Sequence, residues 1–126
     1  MSDKTSRLLS LRPVIETEPA SKPVEEFQNL TLRPILKLQN DLLVRAFQLH
    51  IVKTKNVFYK LSEAEKKENI LLVLRQDVKF STLLKGIVLG HFTESEWTFY
   101  IANEQEINRR ISNLAGQRLI SNLANF

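Results

Sequence analysis

Glutamine and histidine are the residues of this 126-residue chain whose types and spacing could hold a ligand between helices. Gln39, Leu43, Ala46 and His50 follow one another at spacings of four, three and four residues. This spacing places them on one side of a predicted helix. A buried Gln and His there could bind a ligand or a metal, and the alternative is that both are hydrogen-bonded polar residues of the core. Gln39 and His50 are therefore the candidate ligand pocket.

The other histidine, His91, lies at the predicted end of a later helix. A positively charged imidazole at that position would interact favourably with the helix dipole. The chain has no HExxH or ExxH motif and no paired carboxylates on an apolar face, which a metal site in a helical bundle would need. The sequence thus predicts no metal site.

Residues typical of covalent catalysis are also missing from the chain. It contains no Cys, which excludes disulfides, thiolate zinc sites and cysteine nucleophiles. Its three glycines, Gly86, Gly90 and Gly116, form no serine-hydrolase, Walker A or Rossmann pattern. The spacing of Gly86 and Gly90 predicts instead a close approach of another helix. The sequence predicts no catalytic residue and no cofactor, which favours a non-enzymatic function.

Positive charge is concentrated in residues 31–60, where six basic residues meet one acid, giving 6 − 1 = +5. This composition permits an acidic protein partner, and weak nucleic-acid binding is the alternative. Nucleic acid is the weaker interpretation, because no helix-turn-helix pattern and no interleaved aromatic residues accompany the charges. The basic residues of the predicted interaction surface are Arg33, Lys37, Arg45, Lys53 and Lys55.

Capping signals and apolar periodicity divide the chain into helices. A helix is predicted over residues 31–53, with Thr31 as its N-cap and an apolar face of Ile35, Leu38, Leu42, Leu43, Ala46, Phe47 and Leu49. Capping boxes at Ser62 and Thr93 begin two further helices. Another helix, over residues 77–89, is predicted to turn Leu83 inward, and a last helix follows Asn103. The expected fold is an all-α bundle of four to five helices.

Residues 1–24 hold three of the four prolines and are predicted to form a flexible arm, followed by a helical bundle domain over residues 25–126. The Leu-Arg-Pro sequence of residues 11–13 occurs again at residues 32–34. This echo is either chance or a motif in the arm that mimics the first helix. With no apolar run long enough for a membrane span or a signal peptide, we expect a cytoplasmic protein.

The C-terminal segment has more apolar residues than the main apolar face of the last helix contains. Ile120, Leu123 and Phe126 lie beyond that face and predict a contact with a partner protein or with a second copy of the chain. Pro34, in the Leu-Arg-Pro turn, is the remaining residue of the predicted interaction surface.

Residues 27–43, 55–62 and 86–93 resemble a family of small bacterial all-helical proteins. The similarity covers nearly everything after the arm. Members of that family are often labelled glyoxalase-related and have no defined activity. The resemblance therefore implies a helical fold and no particular chemistry.

The glyoxalase label is not supported by the residues of this chain. Glyoxalase I-type enzymes are βαβββ folds that hold a metal with His, Gln and Glu from several strands, whereas this sequence has helical periodicity throughout. Glyoxalase II-type enzymes need an HxHxDH motif, which the chain lacks. The leading hypothesis is a non-enzymatic protein-interaction or adaptor module, and a ligand binder or enzyme using Gln39 and His50 is the alternative.

Overall fold

The computed structural model describes residues 2–126, and every regular element in that range is a helix. The α-helices are α1 (Asp3–Leu11), α2 (Pro23–Phe27), α3 (Arg33–Leu38), α4 (Asn40–Lys53), α5 (Glu63–Gln76), α6 (Val78–Leu89), α7 (Glu94–Ala102) and α8 (Glu104–Ser121). A π-helix covers Gln28–Leu32, and 3-10 turns cover Val57–Lys60 and Leu123–Asn125. The predicted all-α bundle is confirmed.

Side-chain caps begin α5 and α7 where the sequence predicted them. Ser62 and Glu65 form a complete capping box, in which the Glu65 N–H donates to Ser62 Oγ (3.2 Å) and the Ser62 N–H donates to Glu65 Oε1 (2.9 Å). Thr93 and Glu96 form the same box at the start of α7. Each box satisfies backbone donors that the first helical turn leaves unpaired.

The first long helix differs from its prediction in both start and continuity. Helical structure already begins at Pro23, and Thr31, predicted as an N-cap, is buried inside the π-helix. Pro34 lacks the N–H that would bond to Leu30, and its ring would crowd that carbonyl. The preceding turn widens, so that the Arg33 N–H donates to Gln28 O. The chain bends again at Gln39 (φ −95°, ψ 14°) before α4.

Helix α8 is the centre of the bundle and contacts α3, α4, α5, α6 and α7. Its residues Ile107, Ile111, Ala115 and Leu119 have no exposed surface. Complete burial of an Ile or Leu side chain stabilises a fold by about 1.5–3 kcal/mol. A helix that is buried on most sides therefore holds the other elements together.

The predicted glycine contact lies on a different helix. Gly86 and Gly90 are both exposed, and a Cβ on Gly86 would meet no atom within 4 Å, so the expected helix approach there is wrong. Gly116 on α8 is buried instead, and a Cβ there would lie 3.1 Å from the side chains of Leu71 and Leu74. The close approach of α5 to α8 is made at this residue.

The arm contains more regular structure than the sequence indicated. Helix α1 begins at Ser2, whose hydroxyl accepts from the Thr5 N–H, and none of its residues is buried. Residues 13–20 have no regular structure. The predicted boundary between residues 24 and 25 falls inside α2, whose Phe27 stacks on Phe99 at 4.9 Å between ring centroids.

None of the helices formed by residues 2–126 combines the length and the apolar character needed to cross a membrane.

Candidate functional site

The outer side of α4 carries large apolar residues that the fold leaves uncovered. Leu42, Leu49 and Val52 are 46%, 50% and 62% exposed, and Arg45 lies among them at helical spacing. Leu42 and Leu49 were predicted to face the core, and that prediction is wrong. The bends at the π-helix and at Gln39 change the direction of α4, so one helical wheel cannot describe residues 31–53.

Helix α6 extends this side of α4, and an open cleft of about 210 Å³ lies between the two helices. Leu83, which was predicted to point inward, is 48% exposed at the cleft. The cations Lys53 and Lys79 also line it. We refer to these residues together as the α4–α6 face: Leu42, Arg45, Leu49, Val52, Lys53, Lys79 and Leu83.

His50 lines the cleft of the α4–α6 face, and its side chain is 14% exposed. Its ring packs against Phe47 and Phe80, with centroid distances of 5.6 Å and 5.2 Å. Its Nδ1 lies 3.6 Å from Asp77 Oδ2, while Asp77 Oδ1 caps α6 by accepting from the Phe80 N–H. His50 is thus a polar residue at the edge of the aromatic core, next to one carboxylate.

Gln39 lies elsewhere, so the structure does not bring the two predicted pocket residues together. Its Nε2 is 2.7 Å from Nε2 of His91, the residue that follows the C-cap of α6. Because the chain bends at Gln39, the side chains of Gln39 and His50 do not lie on the same side of one helix. Gln39 therefore does contact a histidine, but that histidine is His91 and not His50.

A polar cluster connects the arm to the bundle around His91. Arg12 donates two hydrogen bonds to Glu96, of 2.6 Å and 2.7 Å, and a third of 2.7 Å to the backbone oxygen of His91. The Arg12 and Glu96 side chains are only 7% and 14% exposed. Thr31 donates a further bond to Glu96. Glu96 thus caps α7 and binds the arm at the same time.

The charges of this cluster are fixed by its surroundings. Burial raises the pKa of Glu96, but hydrogen bonds from Arg12, Thr93 and Thr31 and the Arg12 charge outweigh it and lower the pKa overall. Burial, followed by the charge of Arg12, lowers the pKa of His91. The predicted helix-dipole role of a cationic His91 is therefore wrong, because this environment disfavours the imidazolium.

A second cleft, of about 400 Å³, lies between the arm, α3 and α8. Arg33 and Lys37 of α3 and Arg118 of α8 line it, together with Ile15 from the arm. The predicted basic surface is thus divided: Arg33 and Lys37 line this cleft, Lys53 lines the other, and Arg45 and Lys55 are exposed. We call this second space the α3–α8 cleft.

The apolar part of the predicted interaction surface is used inside the chain. Ile120, Leu123 and Phe126 are half-buried and pack against the hydrophobic core. The Phe126 ring lies 5.2 Å from Phe47 and 5.8 Å from Phe58, between centroids. Pro34 is buried as well. These four residues are structural, so the argument for a partner that rested on a spare C-terminal apolar surface is wrong.

Sequence reasoning missed the Arg12–Glu96 pair and the role of Arg118. The two members of the pair are 84 positions apart, and no local spacing rule connects them. The repeated Leu-Arg-Pro sequence was the one available signal at Arg12. Within residues 2–126, no three His, Asp or Glu side chains gather closely enough to hold a metal ion.

Comparison of the chain with protein-family models, with curated proteins and with solved structures finds no match.

Proposed function

We propose that this protein is a non-enzymatic interaction module that binds a partner protein on the α4–α6 face. The observation that carries this proposal is the group of exposed leucine and valine side chains on α4 and α6. Apolar residues that recur at helical spacing on the outer side of a helix mark an interaction surface when they form a contiguous patch. Leu42, Leu49 and Val52 recur in this way, and Leu83 adds to them from the neighbouring helix.

The charges of the face favour an acidic partner. The cations of the face are Arg45, Lys53 and Lys79. Asp41 lies one turn before Arg45, and Asp77 lines the cleft but is held as the cap of α6. An amphipathic helix with leucines on one side and glutamates beside them would place apolar side chains in the cleft and carboxylates against these cations. We therefore infer that the partner presents an acidic amphipathic helix.

A small-ligand site at His50 is the second candidate, and the size of its cleft weighs against it. Pockets that enclose small molecules usually measure about 300–1,000 Å³. The cleft beside His50 measures about 210 Å³ and does not include Gln39 among its lining residues. One or two side chains of a docked helix fit a space of this size better than an enclosed metabolite does.

Binding of a designed peptide tests the proposal. The probe is a fluorescent amphipathic helix with leucines at positions i, i+3, i+4 and i+7 flanked by glutamates, and its partner probe carries lysine in place of each glutamate. We expect the acidic peptide to bind the full chain and the basic one not to bind. Leu49→Ser should weaken binding about tenfold or more, which corresponds to roughly 1.4 kcal/mol or more.

A matched substitution on another helix provides the control. Ile101 on α7 is 54% exposed, close to the 50% of Leu49, so Ile101→Ser removes a similar exposed apolar side chain and should leave peptide binding unchanged. Equal affinity for the acidic and basic peptides, or equal loss in both variants, would contradict the proposal. Sedimentation of the chain without peptide decides whether a second copy occupies the face. If the chain is a dimer and Leu49→Ser dissociates it, the partner on this face is a second copy of the chain and not an acidic protein.

The proposed setting is the cytoplasm, supported by the chain's lack of cysteine and by its need for no disulfide. The glyoxalase label of the family that the chain resembles forms no part of this proposal.

A further inference from the structure

The α3–α8 cleft concentrates positive charge without a carboxylate to balance it. Arg33, Lys37 and Arg118 all line it, and no Asp or Glu is among its lining residues. Within residues 2–126, none of the three cations forms an ion pair. Of the four half-buried arginines among residues 2–126, Arg12 and Arg110 have carboxylate partners, whereas Arg33 and Arg118 have none. The cleft therefore gathers uncompensated positive charge in a partly buried position.

The polar contacts of these arginines hold them in place and leave their charge uncompensated. Arg33 Nε donates to the Asn29 side-chain oxygen at 3.1 Å, and Arg118 Nη1 donates to that of Asn40 at 3.2 Å. An amide oxygen fixes the orientation of a guanidinium but carries no negative charge. Each guanidinium keeps further N–H donors for another acceptor.

Arg33 and Arg118 line the same cleft. Burial, followed by the charge of Arg33, lowers the pKa of Arg118, as expected for a guanidinium that is partly buried near a like charge. An oxyanion placed between them would turn this repulsion into attraction on both sides. A guanidinium pair fits the oxygens of a phosphate or a carboxylate especially well, because its donors form a planar fork.

The remaining lining gives the cleft an apolar wall and a cover. Leu36 and Leu114 belong to the bundle, and Ile15 comes from the arm, which Arg12 anchors to Glu96. The volume of about 400 Å³ falls within the range of pockets that hold small molecules, about 300–1,000 Å³. A ligand with a charged group and a small carbon skeleton fits these walls.

We propose that the α3–α8 cleft binds a small molecule carrying two or more negative charges on phosphate or carboxylate oxygens, which Arg33, Lys37 and Arg118 hold beneath the arm. The site is separate from the α4–α6 face, so either proposal can fail without the other. The cations supply the affinity and Ile15 shields the bound group from water.

Calorimetric titration of the full chain tests this site with two probes, pyrophosphate and citrate, at constant ionic strength and against chloride. We expect saturable binding of at least one probe. Binding of pyrophosphate alone assigns a phosphate ligand, and binding of citrate alone assigns a polycarboxylate. Arg118→Met and Lys37→Gln should each weaken that binding about tenfold or more. Lys37 is exposed, so its variant keeps the fold even if replacement of Arg118 disturbs it.

Arg75→Met is the matched control, since it removes one exposed guanidinium from the last turn of α5, outside this cleft. It should bind the probe as the unmodified chain does. The proposal is overturned if neither probe binds in a saturable way, or if Arg75→Met loses as much affinity as Lys37→Gln does. A single-stranded oligonucleotide is the last probe. The proposal is also overturned if this oligonucleotide binds more tightly than pyrophosphate and citrate and if Lys53→Gln weakens oligonucleotide binding as much as Lys37→Gln does. The positive charge would then belong to an extended nucleic-acid surface.

Discussion

Arg12 fixes the N-terminal arm to the bundle through a single side chain. Its guanidinium meets both oxygens of Glu96 and the backbone oxygen of His91, in a position almost closed to solvent. A buried pair of this kind adds little compared with an apolar contact, but removal of one partner leaves the other charge buried and unpaired. The arm and the start of α7 therefore depend on each other.

Arg12→Met should destabilise the chain substantially for this reason. We expect the free energy of unfolding in urea to fall by about 3–5 kcal/mol, the usual cost of breaking a buried ion pair from one side. The arm should also become more susceptible to proteolysis between residues 13 and 20, where it has no regular structure.

Arg7→Met is the control for this substitution, because Arg7 pairs with Asp3 in the same arm but both side chains are 79% exposed. An exposed pair contributes about 0–1 kcal/mol, so this variant should unfold almost as the unmodified chain does. Equal unfolding curves for the two variants would show that Arg12 does not anchor the arm.

His91 makes the stability of the fold depend on pH. Its pKa in the folded chain lies below the ordinary value of 6.5, because burial and the charge of Arg12 disfavour the imidazolium. The unfolded chain thus binds this proton more tightly. The stability that the neutral form contributes is fully present above pH 6.5 and is lost as the pH falls below 6.5 toward the lowered pKa.

We therefore predict that the free energy of unfolding decreases between pH 7 and pH 5.5 and that His91→Gln reduces this slope. The comparison of the two proteins isolates the effect of His91. Urea titrations at several pH values measure the two slopes. Identical slopes would mean that His91 takes up its proton as readily in the folded chain as in the unfolded one.

The sequence could predict which residues share a site only where those residues lie close together along the chain. Helical spacing grouped Gln39 with His50, 11 positions away, whereas the structure pairs it with His91, 52 positions away. Spacing along one helix describes one helix only. The contact that the structure shows depends on how α6 is placed against α3, which no local pattern encodes.

Among the helices, the starts of α5 and α7 were predictable from the sequence, and the bend between α3 and α4 was not. Capping boxes at Ser62 and Thr93 involve residues three apart, so the sequence alone identified them. The π-helix before Pro34 and the bend at Gln39 redirect α4, and this redirection exposes Leu42 and Leu49. Pro34 was visible in the sequence, but it was assigned to a helix N-terminus at Thr31, whereas helical structure begins eight residues earlier, at Pro23.

Two glycine substitutions distinguish an open helix side from a packed one. Gly86→Ala, in an exposed turn of α6 with no neighbour near its Cβ position, should raise the free energy of unfolding by about 0.5–1 kcal/mol, because alanine favours the helix. Gly116→Val should lower it by about 1–3 kcal/mol, because the new atoms would press on Leu71 and Leu74.

Thermal unfolding of both glycine variants, followed by circular dichroism, measures these changes. If Gly116→Val were as stable as the unmodified chain, α5 and α8 would not approach each other at this residue. If Gly86→Ala were destabilising, an element of the molecule would cover that side of α6.

The whole molecule presents two surfaces of different character on either side of the α3–α4 bend. The α4–α6 face combines exposed leucines with cations, and the α3–α8 cleft combines three cations with Ile15 from the arm. The all-α class followed from periodicity and composition. The division of the basic segment between two sites could not be predicted in the same way, because it results from the change of direction between α3 and α4.

NMR mapping of the bound acidic peptide shows whether the α4–α6 face is the interaction surface. Backbone amide shifts of the full chain would be recorded with and without the peptide. We expect the changes to concentrate at Leu42, Leu49, Val52 and Leu83 and the amides of Arg33, Lys37 and Arg118 not to move. Changes centred on the α3–α8 cleft, or spread evenly over the bundle, would contradict this expectation.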